Sequence, residues 1–213
     1  MTDKIGFLFD LDGVLIDSES QYTKIWSEIE SRFPTGIENF APKIKGMTLD
    51  NIIATHFPDN DANVRSLLHE LENKMEYRWL PNAKEFIQWL IDNNIPRALV
   101  TSSDDEKMRH LNEEIPELMG MFTSIITADK ITKSKPDPEG YLLAASLLGL
   151  NPENCAVVED SAQGVRAGQA SGAFVIGVAG TLPAERIEPF CDVVVYNLAE
   201  LDKSKLVDIL QSR

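Results

Sequence analysis

Short apolar runs punctuate the chain at residues 5–9, 98–100, 124–127, 156–158, 174–178 and 193–196. Each is close to continuously apolar and does not alternate, which is the pattern of strands covered on both faces. Helical patterns follow most of them. Phe86, Ile87, Leu90 and Ile91 repeat at helical spacing ahead of Asn93-Asn94. Asp137-Pro138 predicts an N-cap with proline at the first helical position, before an apolar set of Leu142, Ala145 and Leu148. Gly149 ends that helix. Ser161 caps the next, whose small residues (Gly164, Ala167, Gly168) let it lie close to a sheet. A last helix covers about 198–210. Strands alternating with helices predict an α/β fold with a doubly wound parallel sheet.

One stretch breaks the alternation. From Asp17 to Trp79 there is no good strand but several helical patterns. Tyr22, Ile25, Trp26, Ile29 and Phe33 form one apolar stripe; Val64, Leu67, Leu68, Leu71, Met75 and Trp79 form another, opened by Asp59-Asn60-Asp61. Pro34-Thr35-Gly36, Pro42 and Gly46 lie between them, and Pro81 marks the return. We expect an all-helical insert at 17–80 within a core formed by 1–16 and 81–213.

Composition narrows the partners. At 213 residues with 43 % hydrophobic and 25 % charged positions, the chain is an ordinary globular protein. A net charge of −14 argues against nucleic acid and anionic membrane as partners. It leaves room for a small anion, because a metal and a few placed cations reverse the local field. No apolar run approaches the roughly 20 residues of a membrane span. The start Met1-Thr2-Asp3-Lys4 lacks a secretory pattern, so a cytoplasmic protein is expected. Cys155 and Cys191 lie far apart and are expected as reduced thiols, and His56, His69 and His110 lack metal-ligand spacing. The oligomeric state is not encoded in any pattern of this kind.

The chemistry gathers after the apolar runs. In open α/β sheets, ligands bind beyond the carboxyl ends of the strands. Asp10-Leu11-Asp12-Gly13 follows the first run, Thr101-Ser102-Ser103 the second, and Glu159-Asp160-Ser161 the fourth. Carboxylates crowded at one edge stay ionised only if something neutralises them. Oxygen-only ligands without histidine favour Mg2+ as that cation. Asp10 and Asp12 are two apart, and Gly13 marks the turn after the strand, so the two acids meet one small volume in different roles. One is suited to be a nucleophile and the other to carry a proton. Lys135 precedes Pro136 ahead of a capped helix, placed to reach a phosphate, whereas Lys133 is expected as a solvated loop residue. Thr101 and Ser102 offer a hydroxyl and backbone N–H groups at an expected helix start, with Asp104 and Asp105 as caps.

These segments resemble motifs one to four of the haloacid dehalogenase superfamily, in order and at family-like spacing across essentially the whole chain. They are Asp10-Leu11-Asp12-Gly13-Val14-Leu15-Ile16-Asp17-Ser18, Val100-Thr101-Ser102, Lys135-Pro136-Asp137-Pro138 and Val158-Glu159-Asp160-Ser161. The helical insert is similar to the small cap of the subfamily containing β-phosphoglucomutase and phosphoglycolate phosphatase, on a Rossmann-like core. The resemblance implies a phosphatase acting on a small phosphorylated metabolite. Asp10 attacks phosphorus to form an aspartyl-phosphate, and Asp12 protonates the leaving oxygen and then deprotonates water. It implies Mg2+ held by the Asp10 carboxylate, the Asp12 backbone carbonyl, Glu159 and Asp160, with Thr101, Ser102 and Lys135 on the phosphate.

Asp12 argues against dehalogenation, since a halide leaves without a proton, and the insert lysines do not by themselves support a Schiff-base phosphonatase. The rival within the family is a phosphosugar mutase. Tyr22, Leu49 and Asp104-Asp105 stand where the mutase pattern has a histidine, an arginine and a Lys-Asn pair. A non-catalytic phosphate-binding protein is the alternative from another class; here every chemical position is filled. Substrate choice falls to the insert, with Tyr22, Trp26 and the 43–47 loop containing Lys45 and Gly46 as the specificity candidates.

Overall fold

The computed structural model describes residues 4–44, 47 and 49–212. It divides into two compact units, one of Met1–Asp17 and Arg78–Arg213, the other of Ser18–Tyr77. The chain opens with β1 (Gly6–Phe9), then enters the second unit for α1 (Glu19–Arg32), α2 (Phe40–Lys43), α3 (Leu49–His56) and α4 (Asp61–Glu72). The first unit resumes with α5 (Ala83–Asp92), β2 (Arg97–Val100), α6 (Asp105–Glu114), α7 (Pro116–Gly120) and β3 (Ser124–Ile126). It continues through α8 (Glu139–Leu147), β4 (Cys155–Glu159), α9 (Ala162–Ser171), β5 (Phe174–Val178), α10 (Ala184–Ile187), β6 (Val193–Val195) and α11 (Lys203–Gln211). Among the described residues no helix is long and apolar enough to cross a membrane.

All strand pairs are parallel, in the order β3-β2-β1-β4-β5-β6. The sheet is doubly wound, as the alternation predicts. Chain progress runs outward in one direction from β1 and in the other from β4, so the order reverses between these two neighbours. That switch point opens a crevice beyond their carboxyl ends. Phe9 pairs with both Leu99 and Val158, which brings the ends of β1, β2 and β4 level. The central strands are buried throughout, while β3 and β6 keep partial exposure, having a neighbour on one side only.

Strand alternation sorts the two faces. Leu8, Val100, Cys155 and Val157 pack with Tyr141, Ala144 and Ala145 of α8 and Ala167 of α9. Phe7 and Phe9, of the other parity, meet Phe86 of α5 at 5.8 and 6.0 Å between ring centres. Asp10 continues the parity of Leu8, and Glu159 that of Val157, so both project towards the α8 side.

Three helix expectations shift. α8 buries Tyr141, Ala144 and Ala145, while Leu142 is 41 % exposed. Its small residues admit the close approach, and the helix starts one position later than expected, with Pro138 and not Asp137 at the N-cap; Asp137 accepts the Glu139 N–H (3.0 Å) from the turn before it. The second apolar stripe outruns its helix. α4 ends at Glu72, Met75 is buried in the segment after it, and Trp79 belongs to the other unit, bridged to Ile16. The last helix is split, since Leu198–Glu200 is a separate 3-10 turn and Asp202 caps α11 by accepting the Lys205 N–H. In the second unit Trp26, Phe40 and Phe57 form a triangle of rings, with Trp26 6.1 Å from Phe40 and 6.3 Å from Phe57, and Ile29 and Ile53 are buried as well.

Gly168 of α9 holds the helix against the sheet. A Cβ there lies 2.9 Å from Val157 Cγ1 and 3.2 Å from Val175 Cγ2. Alanine gains up to about 1 kcal/mol of helix propensity over glycine, but overpacking a tight core costs about 1–3 kcal/mol. Gly168→Ala is therefore expected to lower the urea midpoint, and an increase would show that the contact relaxes freely.

Candidate active site

Asp10 stands one residue beyond β1, its N–H bonded to Val158 O of β4. Its Oδ1 accepts from Lys135 Nζ at 2.6 Å. The same ammonium reaches Glu159 Oε1 at 2.6 Å and Val100 O at 3.1 Å, so its three protons have three acceptors. Lys135 also lies 5.1 Å above the Tyr141 ring, and the Tyr141 hydroxyl donates to Glu159 Oε1 at 3.0 Å. The other Glu159 oxygen accepts from the N–H groups of Asp160 (2.9 Å) and Ser161 (3.0 Å) and from Ser161 Oγ (3.0 Å). This fully buried carboxylate thus rests on the N-terminus of α9, whose dipole and free N–H groups favour an anion. Ser161 caps the helix as expected, its Oγ accepting the Gly164 N–H. Gly164 leaves the necessary space: any Cβ there would collide with the Glu159 carboxylate.

Asp10, Glu159 and Asp160 each offer an oxygen, all within 4.8 Å of one another. Gly13 makes room beside Asp160. Its φ of +78° suits glycine, and a Cβ would strike Asp160 Oδ2. Asp12 takes different partners. Both its oxygens lie 2.9 Å from Lys107 Nζ, and Oδ2 accepts from Ser103 Oγ at 3.1 Å. Its carboxylate is outside the group of three; the sequence reading assigns Asp12 to the cation through its backbone carbonyl, which does not involve that side chain.

Thr101 is buried at the end of β2, with Oγ1 accepting the Ser103 N–H, and Ser102 is exposed. The helix does not begin at this pair. A short loop intervenes, Asp104 caps α6 by accepting the Lys107 N–H, and Asp105 at its first position accepts from Thr127 Oγ1. Tyr22 lies on α1 in the second unit, where its hydroxyl donates to Glu72 (3.0 Å) and it lines a cavity of roughly 240 Å³ with Trp26, Met47 and Leu68. Lys45 and Gly46 lie outside the described residues.

Sequence reasoning missed Lys107, Ser103, Tyr141 and Thr181. Ser103 was within reach as the third hydroxyl of its run, and Tyr141 as a buried aromatic whose polar tip needs a partner. Thr181, whose hydroxyl supports ionised Asp160, belongs to a loop without pattern.

Three carboxylates face one ammonium, leaving two negative charges in a buried place. Burial pushes the Asp10 carboxyl up to about 7, against the pull of Lys135, with Glu159 and Asp12 adding to the rise. Burial, Glu159 and Asp10 likewise raise Asp160 well above the usual carboxylate range. Burial opposes the charge on Glu159 too, but Lys135 and the hydrogen bonds prevail and hold its carboxyl low. For Lys135, burial is outweighed by the Asp10 and Glu159 charges, which hold it protonated. An all-oxygen set of three carboxyl groups around one ammonium fits a hard divalent cation.

A consequence follows for pH. The raised Asp10 contributes stability that is full below about pH 4 and is lost as pH rises through about 7. A cation must displace its proton at low pH, at a cost of about 3 kcal/mol at about pH 5. Magnesium should therefore raise the melting temperature much more at about pH 8 than at about pH 5. Equal shifts in thermal melts at the two values would contradict this charge count.

Comparison with known proteins agrees with the geometry. A family model for haloacid dehalogenase-like hydrolases matches residues 6–172. Hexitol phosphatase A of Escherichia coli is 32 % identical, the match covering 94 % of each chain. Validoxylamine A 7'-phosphate phosphatase of Streptomyces hygroscopicus subsp. limoneus is 29 % identical, over 91 % of this chain and 94 % of its own. The crystal structure of a HAD hydrolase of family IA, variant 3, from Entamoeba histolytica superposes with a TM-score of 0.81 at 25 % identity, covering 98 % of this chain and 100 % of that one.

Proposed function

Given that the chain belongs to the haloacid dehalogenase-like hydrolase family, we propose that it is a magnesium-dependent phosphatase working through an aspartyl-phosphate on Asp10. The observation that carries this reading is the buried group of Asp10, Glu159 and Asp160 at the sheet's switch point, two charges short with Lys135 bound. Asp10, Glu159, Asp160 and the Asp12 carbonyl would hold Mg2+, which would supply positive charge for the phosphoryl oxygens. Asp10 attacks phosphorus in line, and its new O–P bond forms as the ester P–O bond breaks. Asp12 gives its proton to the departing oxygen. In the second half, water attacks the same phosphorus, passes a proton to Asp12, and frees phosphate and Asp10. Lys135, the Thr101 hydroxyl and the Ser102 N–H hold the phosphoryl oxygens as their charge shifts.

The separate partners of the two aspartates support this division of labour. Asp10 is tied to Lys135, while Asp12 sits with Lys107 and Ser103 and exchanges its proton without disturbing the buried group. The names of the two phosphatases above support a small polyhydroxylated, sugar-phosphate-like monoester as substrate. The insert at 17–80 acts as the selecting cap, with Tyr22, Lys45 and Gly46 as its specificity residues. The Tyr22 and Trp26 cavity supports that role. Asp104 and Asp105, spent on the α6 start and Thr127, give no help in holding the second phosphate of a mutase intermediate.

Asp10→Asn should retain the fold and lower turnover of every phosphomonoester by at least about 1000-fold. A mutant with wild-type rate would show that another group is the nucleophile. Phosphate release should vanish on chelation, return with magnesium, and differ strongly across a panel of phosphorylated metabolites. Equal rates on the whole panel would remove the cap from substrate selection.

A further inference from the structure

Lys107 belongs to none of the four motifs, yet both Asp12 oxygens lie 2.9 Å from its ammonium. The pair is mostly sheltered, with side chains 19 % and 29 % exposed. Its backbone is held as firmly as its tip. The Lys107 N–H donates to the Asp104 cap at 2.8 Å. The start of α6 is pinned again where Asp105 N–H meets Asp129 Oδ2 and Thr127 Oγ1 meets Asp105 Oδ1, each at 2.8 Å.

Helix stability does not account for a lysine here. The first turn of α6 carries Asp105 and Glu106, which suit the positive end of the helix dipole, whereas a cation at that end opposes it. Where a local rule is broken without local gain, a functional partner is the physical explanation. Asp12 is such a partner.

We propose that Lys107 is a positioning residue: it fixes the Asp12 carboxyl group for proton transfer to the leaving oxygen. This rests on the reading of Asp12 as the acid and base of the reaction. In the first half-reaction the Asp12 O–H bond breaks and an O–H bond forms on the departing oxygen as its bond to phosphorus breaks. Lys107 keeps its own protons throughout and stabilises the carboxylate that emerges. Ser103, on Oδ2, fixes the rotation of the same group.

The test is leaving-group dependence. An alkyl alkoxide needs a proton to depart, whereas p-nitrophenolate leaves without one. The value of kcat/KM reports the half-reaction that ends with departure of the leaving group. Lys107→Met, Lys107→Arg and Asp12→Asn are compared in the full chain on p-nitrophenyl phosphate and on the alkyl monophosphate turned over fastest in the panel. Lys107→Met should lower kcat/KM for the alkyl ester by about 10- to 100-fold, change the aryl ester less than about threefold, and be rescued in large part by arginine. An equal loss on both esters, or no loss on either, overturns the proposal. Asp12→Asn separates the two levels. If it shows no preference for the aryl ester, the acid role of Asp12 falls. If it does and Lys107→Met does not, only the role of Lys107 falls. Lys107→Gln, with Ser103→Ala beside it, takes the place of Lys107→Met if that variant does not fold.

Discussion

Three buried carboxyl groups gathered around one ammonium are the constraint around which the sheet unit is organised. An isolated buried carboxylate costs several kcal/mol even after the protein relaxes. The surroundings of Glu159 show how much is spent on a single one: an ammonium, a phenol, two backbone N–H groups and a serine hydroxyl converge on its two oxygens. Lys135 is shared between Glu159 and Asp10, so a single cation serves both. Among the described residues no cation pairs with Asp160 as Lys135 pairs with Glu159, and burial with the neighbouring Glu159 and Asp10 raises its carboxyl. The site is short of positive charge, and this shortage is what supports the proposed divalent ion.

Space for these charges comes from residues without side chains. Gly164 lets the Glu159 carboxylate lie across the first turn of α9, and Gly13 lets the chain after β1 turn beside Asp160. Gly168 brings α9 down onto Val157 and Val175, and so sets how near the helix start lies to the strand end. Packing and electrostatics are therefore one arrangement. The small-residue helix docks closely because it has little volume, and its N-terminus then falls where β4 delivers an anion.

The two aspartates of one motif illustrate how identical groups acquire different chemistry. Asp10 shares the parity of Leu8 and points towards α8, where burial and Lys135 compete over its charge. Asp12, beyond the strand, turns to the start of α6 and pairs there with Lys107. One acid is built into the buried group and the other stands beside it, an arrangement in keeping with the proposed roles of nucleophile and proton carrier.

Strand positions, the sheet class and the carboxylate-bearing strand ends were readable in order along the chain, because buried parallel strands are written as apolar runs and their ends as abrupt polarity. Asp10, Lys135, Glu159 and Asp160 meet in the structure as that pattern implies. Helix limits were less readable. Met75 and Trp79 continue the spacing of α4 after its backbone has left the helix, and Leu142 has the polarity of a core residue while α8 buries alanines instead. Spacing records which residues are apolar, not which way a rotated helix presents them. Lys107 and Tyr141 were invisible for another reason. Their partners, Asp12 and Glu159, lie 95 and 18 positions away. Contacts over such separations exist only once the sheet has closed, and no local pattern along a chain encodes which distant charge a side chain will meet.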